Sequence, residues 1–543
     1  MPRFRDRGRP DSSDAPRPSM GVRLALRLLQ LGAILVVLVA TPWKQFDLDR
    51  FFVPKELVLH ATALLATLCL MARARRLPLA RVDQFLAVFL ALGALAALFS
   101  TNWWAAQRAV MISLSGAACF WAARAVARAG LTRALVATLA FAAVLGAITS
   151  LLQAYGLRTE YFSLNRAPGG TFGNRNFMAH LAVIAMPALL YTALGARTRG
   201  SWTRWCVGIG IVAAALILSR SRAAWLALIA CAVVLLPLGY LALRRTEGTV
   251  RWRRTWALPF AFGLGAVAAL VLPNTLDWKS DSPYLDTAKS VVNYKEGSGA
   301  GRLVQYSNTL RMSSHHPLLG VGPGNWAMVY PKFASRNDPS LADNGMTANP
   351  WPSSDWMTFL SERGFVAFAV LVLAMVSLLA DGVRGLAARD DEERLAAVAL
   401  IGTIVVLLVV GTFDAVLLLP LPALIAWSLL GALSRAGRER HAVDIGGERR
   451  LAVFAAILVR GGIAIARSTT QLLAMELFNG TTRRTVLEEA SSYDPGSYRI
   501  HLRLAQAYLA RGSCKPATAH ARAARKLYPE AGEPKVVIRA CGG

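Results

Sequence analysis

Cysteine and acidic residues are scarce in this sequence, and each shortage excludes something. Six cysteines occur in 543 residues, none of them in a CxxC or CxxCH arrangement, so metal and haem sites have no support in the spacing. Cys69, Cys119, Cys206 and Cys231 sit inside apolar runs and read as small core residues. Cys514 and Cys541 lie in the polar C-terminal region. Outside the cytoplasm they either pair and clip the terminal helix or remain two unpaired small hydrophobes. The N-terminus has no small-residue cleavage site behind a short apolar core, so the first apolar run is expected to be an uncleaved helix and not a signal peptide. Gly320, Gly322 and Gly324 are not a dinucleotide fingerprint, because neither a βαβ unit nor a following acidic residue accompanies them. Acidic residues number 32 against 60 Lys and Arg, for a net charge of +28. The surplus is nearly all Arg, in short clusters between apolar runs instead of along one face of a soluble domain. That is the positive-inside bias of a membrane protein and not a nucleic-acid surface; an anionic membrane or a phosphate-bearing lipid is the expected partner.

What is present is apolar length. With 55% hydrophobic and 17% charged residues and a positive mean hydropathy, the chain reads as an all-α polytopic helical bundle with about thirteen transmembrane helices. Apolar runs of spanning length fall at 24–42, 54–72, 83–100, 107–127, 132–154, 176–196, 204–219, 222–243, 255–273, 365–382, 395–413, 416–434 and 450–467. With a cytoplasmic N-terminus the Arg clusters around residues 73–81, 124–133, 197–204, 244–254, 384–394 and 435–450 all face inward, as the charge rule requires. Trp43, Trp103, Trp104 and Trp278 then fall at outer boundaries, as belt residues do.

This reading divides the chain into a disordered cytoplasmic segment (1–19), nine transmembrane helices (20–272), a large extracytoplasmic loop domain (273–364), four further transmembrane helices (365–467) and a small periplasmic helical domain (468–543). The loop is too long for a plain connection and carries Trp, Tyr, Phe and Leu throughout, so it is expected to fold over an active site. In the tail, Leu502, Leu504, Ala505 and Tyr508 share one helical face and Ala517, Ala521 and Ala524 the next. Pro495 and Pro529 stand 34 residues apart (529 − 495), the tetratricopeptide period. Residues 471–494 read as a degenerate preceding unit.

Three segments, GGTFGNRNFMAHL at 169–181, LSRSRAAWLAL at 218–228, and the loop with its GR, HPLLGVGPGNW and LSERGF elements, together resemble the O-antigen ligase/polymerase superfamily of bacterial envelope glycosyltransferases. The tetratricopeptide-like tail resembles one branch of it. The resemblance spans about 165–435. It implies an inner-membrane enzyme that takes a glycan from a polyprenyl-diphosphate carrier to an acceptor, which is a glycan, a lipid or a protein. It implies no metal, no nucleotide sugar and no other cofactor, and makes the tail the place where a protein partner would engage.

Displacing a diphosphate requires that the charge growing on the leaving oxygen be stabilised, and Arg forks at a partly dry boundary do this. Arg175, Arg220, Arg222 and Arg302 stand at outer ends against the positive-inside bias. Arg222 and Arg302 match the family pattern; otherwise these residues snorkel or pair with loop carboxylates. Asn174 and Asn176 flank Arg175 before a helix, where Asn176 is either the N-cap or a sugar or phosphate contact. The acceptor hydroxyl needs a base. Many relatives carry a His-Asn pair before the Glu of the ExG element, but Ser353 and Ser354 stand there here. Asp355 is the nearest candidate base and Glu362 the second, with a lesser candidacy for His316. The ionisable Asp414 at the outer end of an apolar run is expected to hold an arginine. His60 and His180, inside spans, read as hydrogen-bonded core residues. The missing pair and the tail favour a polymerase over a ligase or a protein O-oligosaccharyltransferase. The alternatives are a secondary transporter or flippase for an anionic lipid-linked substrate, against which no repeated half is visible, and a scaffold displaying the tail.

Overall fold

The computed structural model describes residues 18–46, 48–72, 74–163, 166–244, 252–290, 297–434 and 441–542. All but the last two residues of the segment expected to be disordered at 1–19 lie outside them. The helices, in chain order, are α1 (Met20–Leu38), α2 (Asp49–Met71), α3 (Arg81–Ala97), α4 (Trp103–Val126), α5 (Thr132–Ala154), α6 (Arg175–Leu194), α7 (Arg199–Ser219), α8 (Arg222–Arg244), α9 (Trp252–Val271), α10 (Pro283–Lys289), α11 (Gly297–His315), α12 (Trp326–Val329), α13 (Asp355–Gly385), α14 (Asp391–Phe413), α15 (Pro420–Leu433), α16 (Glu448–Asn479), α17 (Arg484–Tyr493), α18 (Tyr498–Leu509), α19 (Cys514–Leu527) and α20 (Gly532–Ala540). The protein is an all-α multi-pass membrane protein with one small exception. β1 (Arg76–Leu79) pairs antiparallel with β2 (His441–Asp444), tying the α2–α3 connection to the α15–α16 connection.

Among the described residues nine helical runs are long and apolar enough to cross a membrane, fewer than the thirteen expected. One reason is that α4 and α5 form a single 52-residue run, turned where Gly130 takes φ 82°. The other is length. α3 has 17 residues, α15 has 14, and the apolar part of α9 is Thr255–Val271, whereas a span needs about 20. Every residue of α15 is buried in protein, so it never has to match the thickness of the lipid.

The bundle is organised around α6, with 89% of its apolar window buried, and α14, with 78%. α8 (17%) and α16 (11%) turn most of their surface outward. α6 carries its N-terminal Arg175 to the end of the bundle where the long loop lies. The loop is fixed to α13 by a break in that helix. Gly364 sits at φ 79°, ψ 172°, a conformation that L side chains rarely adopt, and a Cβ there would meet the carbonyl oxygen of Leu318 at 2.2 Å. The break releases the carbonyls of Ser361 and Glu362, which accept from Val321 N (2.9 Å) and Gly322 N (3.0 Å), while Phe365 N donates to Pro317 O at 2.8 Å. The HPLLGVGPGNW and LSERGF elements are thus two halves of one hydrogen-bonded junction.

α16 runs unbroken through the expected boundary at 467/468 and leads into the tail, where α17 to α20 pack in sequence. Leu504, Ala505, Ala517, Ala521 and Ala524 are buried as expected, with Ile500 and His501 beside them; Leu502 and Tyr508 are half-buried. Cys514 and Cys541 form a disulfide that closes α19 onto α20. The tail touches the loop and the bundle: Gly532 N donates to Asn344 O (2.9 Å) and Asn102 Nδ2 to Leu527 O (3.2 Å). Loop and tail therefore share one end of the molecule.

Candidate active site

Four arginines stand at that end. Asn174 is the N-cap of α6, its side chain accepting from Asn176 N at 3.0 Å, so Asn176 lies one residue inside the helix instead of capping it. Arg175, the first helical residue, places its guanidinium 4.9 Å from the Trp278 ring centroid, and Arg220 approaches the same ring at 4.6 Å. Arg220 forms the turn between α7 and α8 at φ 51° and donates Nε to Thr287 Oγ1 at 2.9 Å. Trp278, expected as a membrane-belt residue, thus serves two like charges, each favoured by the ring's electron-rich face. Beyond Ser221, Arg222 opens α8 and donates Nη1 to Ser290 O at 3.2 Å.

The fourth, Arg302 on α11, lies within electrostatic reach of Arg222, His180, Tyr306 and Asp414. Its buried Nε has no hydrogen-bond partner, and neither do the buried Trp278 Nε1 and Tyr284 Oη. Buried donors left unsatisfied are costly and rare, and among the described residues this loop holds three of them. Tyr306, one turn after Arg302, has its hydroxyl 2.7 Å from Ser353 O and also against Thr412 O. Burial pushes that hydroxyl up to about 12.

Asp414, just past the end of α14, accepts from Ala415 N at 2.9 Å and turns Oδ2 toward His180 Nδ1 at 3.9 Å. Burial raises its carboxyl to about 6, against the pull of the Ala415 N–H, Arg302 and Arg166. Asp355 lies close behind it. Its Oδ1 accepts from Val416 N (2.9 Å) and Leu417 N (3.1 Å), and Oδ2 from Leu417 N (2.9 Å), so the carboxylate holds the 414–419 connection. Glu362 is used in the same way: Oε2 accepts from Gly324 N (2.7 Å) and Oε1 from Trp326 N (3.1 Å). Ser354, at one of the positions of the absent His-Asn pair, caps α13 and donates to Gly411 O at 2.9 Å. His316 is exposed just past the end of α11. At 1.5 Å rise per residue it is roughly 20 Å along the helix from Arg302 and is not brought to the site.

A second polar region lies beside this one. A cavity of about 410 Å³ opens between α2 and α4 below and the 346–351 strap and residues 494–499 of the tail above, with Glu362 and Arg166 in its wall. In it Arg108 Nε sits 2.9 Å from each oxygen of Glu56, and Nη2 reaches Glu56 Oε1 (2.6 Å) and Asp49 Oδ1 (3.1 Å). Arg467 pairs with Asp494 at 2.8 Å and lies 4.3 Å over Trp104. The sequence reading missed this group. The available signal was Glu56 and Arg108 inside apolar runs, where an ionisable residue calls for a partner.

The fold and the site define a multi-pass membrane protein with a cluster of arginines at its loop-bearing end. Residues 207–372 match the family model described as O-antigen ligase, and no curated protein matches the chain. The matched stretch contains Arg220, Arg222, Arg302, His316, Asp355 and Glu362. Arg175, Asp414 and the whole tail lie outside it.

Proposed function

We propose that the protein is a glycosyltransferase of the bacterial inner membrane, its long loop and tail periplasmic, that moves a glycan from a polyprenyl-diphosphate carrier to an acceptor hydroxyl. The observation that carries this reading is the pairing of Arg175 with Arg220 on the Trp278 ring and of Arg222 with Arg302, itself beside Asp414, at the loop-bearing end of the bundle. Guanidinium groups brought this close repel one another, and a diphosphate relieves that repulsion. The family match supports a lipid-linked glycan as the substrate class.

In the reaction the acceptor oxygen attacks the anomeric carbon, the bond from that carbon to the phosphate oxygen breaks, and the diphosphate leaves with the electron pair beside the arginine cluster. The acceptor's proton goes to Asp414, whose Oδ2 faces His180 and which lies within electrostatic reach of Arg302. Both oxygens of Asp355 are taken by backbone N–H groups, which makes it a positioning residue for the 414–419 connection. Glu362 does the same for the loop. Growth of a polysaccharide is favoured over transfer to lipid or protein, since Ser353 and Ser354 replace the pair found in many relatives. The tail, read as tetratricopeptide-like, is the place for a protein partner. The test is the envelope glycan of cells whose only copy of the gene carries Arg222→Ala or Arg302→Ala. Loss of polymer at normal protein level is expected; normal polymer overturns the assignment.

A further inference from the structure

We propose that the cavity between the bundle and the tail is a binding site for uncharged glycan, and that it receives the acceptor end of the chain. The cavity's volume of about 410 Å³ falls among pockets that enclose a small ligand, ~300–1,000 Å³. Its charges cancel: four arginines and four carboxylates line it. Two of those arginines, Arg108 and Arg467, are engaged with carboxylates from other parts of the fold. An anionic ligand would have to break these pairs and leave buried carboxylates uncompensated. A polyhydroxyl ligand breaks nothing, because the carboxylate lone pairs and guanidinium N–H groups left over accept and donate to hydroxyls.

The second feature is aromatic. Trp104, Trp351, Tyr498 and Tyr528 line the same space and offer flat apolar faces to the C–H faces of sugar rings, their polar edges remaining for hydrogen bonds. A lipid tail would find too many charges, and a free phosphate a lining whose formal charges sum to zero. The Trp104 ring is set in place by α16 and the tail. Arg467 lies over it, and Gly496 packs so close that a Cβ would meet the ring at 2.6 Å. Tail and bundle thus build the site jointly.

The position supplies the role. Arg166 lines the cavity and lies within electrostatic reach of Asp414, and Leu418 to Pro420, which continue the segment held by Asp355, form part of the wall. A glycan in the cavity therefore has its end toward Asp414. This part rests on the transferase reading; the binding site itself does not.

The experiment uses the full-length protein in nanodiscs and oligosaccharides released by mild acid from the host's envelope polysaccharide. Saturation-transfer NMR is expected to show contact with the sugar ring protons. Affinity followed by Trp fluorescence should fall at least about tenfold in Trp104→Ala and Tyr498→Ala, be restored in Trp104→Phe, and stay unchanged in Arg302→Ala. Absence of saturation transfer, or equal binding by the two alanine variants, overturns the proposal, as does tighter binding of a neutral peptide to the same residues. Should Arg302→Ala cells make normal polymer while Trp104→Ala abolishes sugar binding, the transferase reading falls and this site stands.

Discussion

The loop-bearing end of the molecule has two arginine-rich regions, built in opposite ways. Around Trp278 the guanidinium groups of Arg175 and Arg220 meet an indole ring and neutral oxygens. Under the tail, Arg108 and Arg467 meet Glu56, Asp49 and Asp494. Both use Arg on aromatic surfaces, so residue type alone does not separate them. The supply of carboxylates does. An uncompensated cluster holds positive potential for an anion, and a compensated one holds shape and hydrogen bonds for a neutral ligand.

Four perturbations break or sharpen that contrast. The largest effect is expected from Arg302→Ala. In the proposed reaction it removes a donor to the developing charge and should lower transfer from a lipid-linked donor in membranes by roughly 10²–10³-fold, with protein level unchanged. On the balanced side, Glu56→Gln leaves Arg108 with Asp49 alone. Loss of a partner from a fully buried pair costs about 3–5 kcal/mol. Because Arg108 is 32% exposed, the loss should be nearer ~2 kcal/mol, seen as a lower unfolding temperature in detergent with little change in donor binding.

The third perturbation is pH. Asp414 must lose its proton before it can accept one, and burial sets that loss at about 6. Transfer should therefore fall about tenfold per pH unit below that point and level off above it, and Asp414→Asn should abolish this step in the profile. The smallest effect is expected from Trp278→Leu. It removes the ring shared by Arg175 and Arg220, each contact worth about 0.5–1 kcal/mol, and should weaken donor affinity by less than tenfold; Glu56→Gln should leave that affinity alone.

Much of the bundle was legible in the chain, because a helix in lipid must satisfy its own backbone and so needs an uninterrupted apolar run. The number of spans was less legible. α15 reads like its neighbours in composition, yet its 14 residues are all buried, a fact set by the helices around it. At the site, Arg222 and Arg302 were marked by lying against the charge rule, and the structure places them within electrostatic reach of each other. Asp355 and Glu362 were marked too, as acids near a loop. That their oxygens bind backbone N–H groups at 416–417 and at 324 and 326 follows from contacts about 60 and 40 residues away, which no local pattern encodes. His316 shows the converse: it stands in a suggestive motif, and the length of α11 carries it away from Arg302.

By itself the sequence determined an all-helical membrane bundle, the long polar excursion and the arginines at its edge, because these follow from hydropathy and charge counted along the chain. Only the tertiary structure decided which arginines face carboxylates and which face rings, that loop and tail meet at one end, and that a charge-balanced cavity lies between bundle and tail. The reason is physical: desolvation and pairing depend on neighbours in space, and the partners here come from helices as far apart in the chain as α2, α4 and α16.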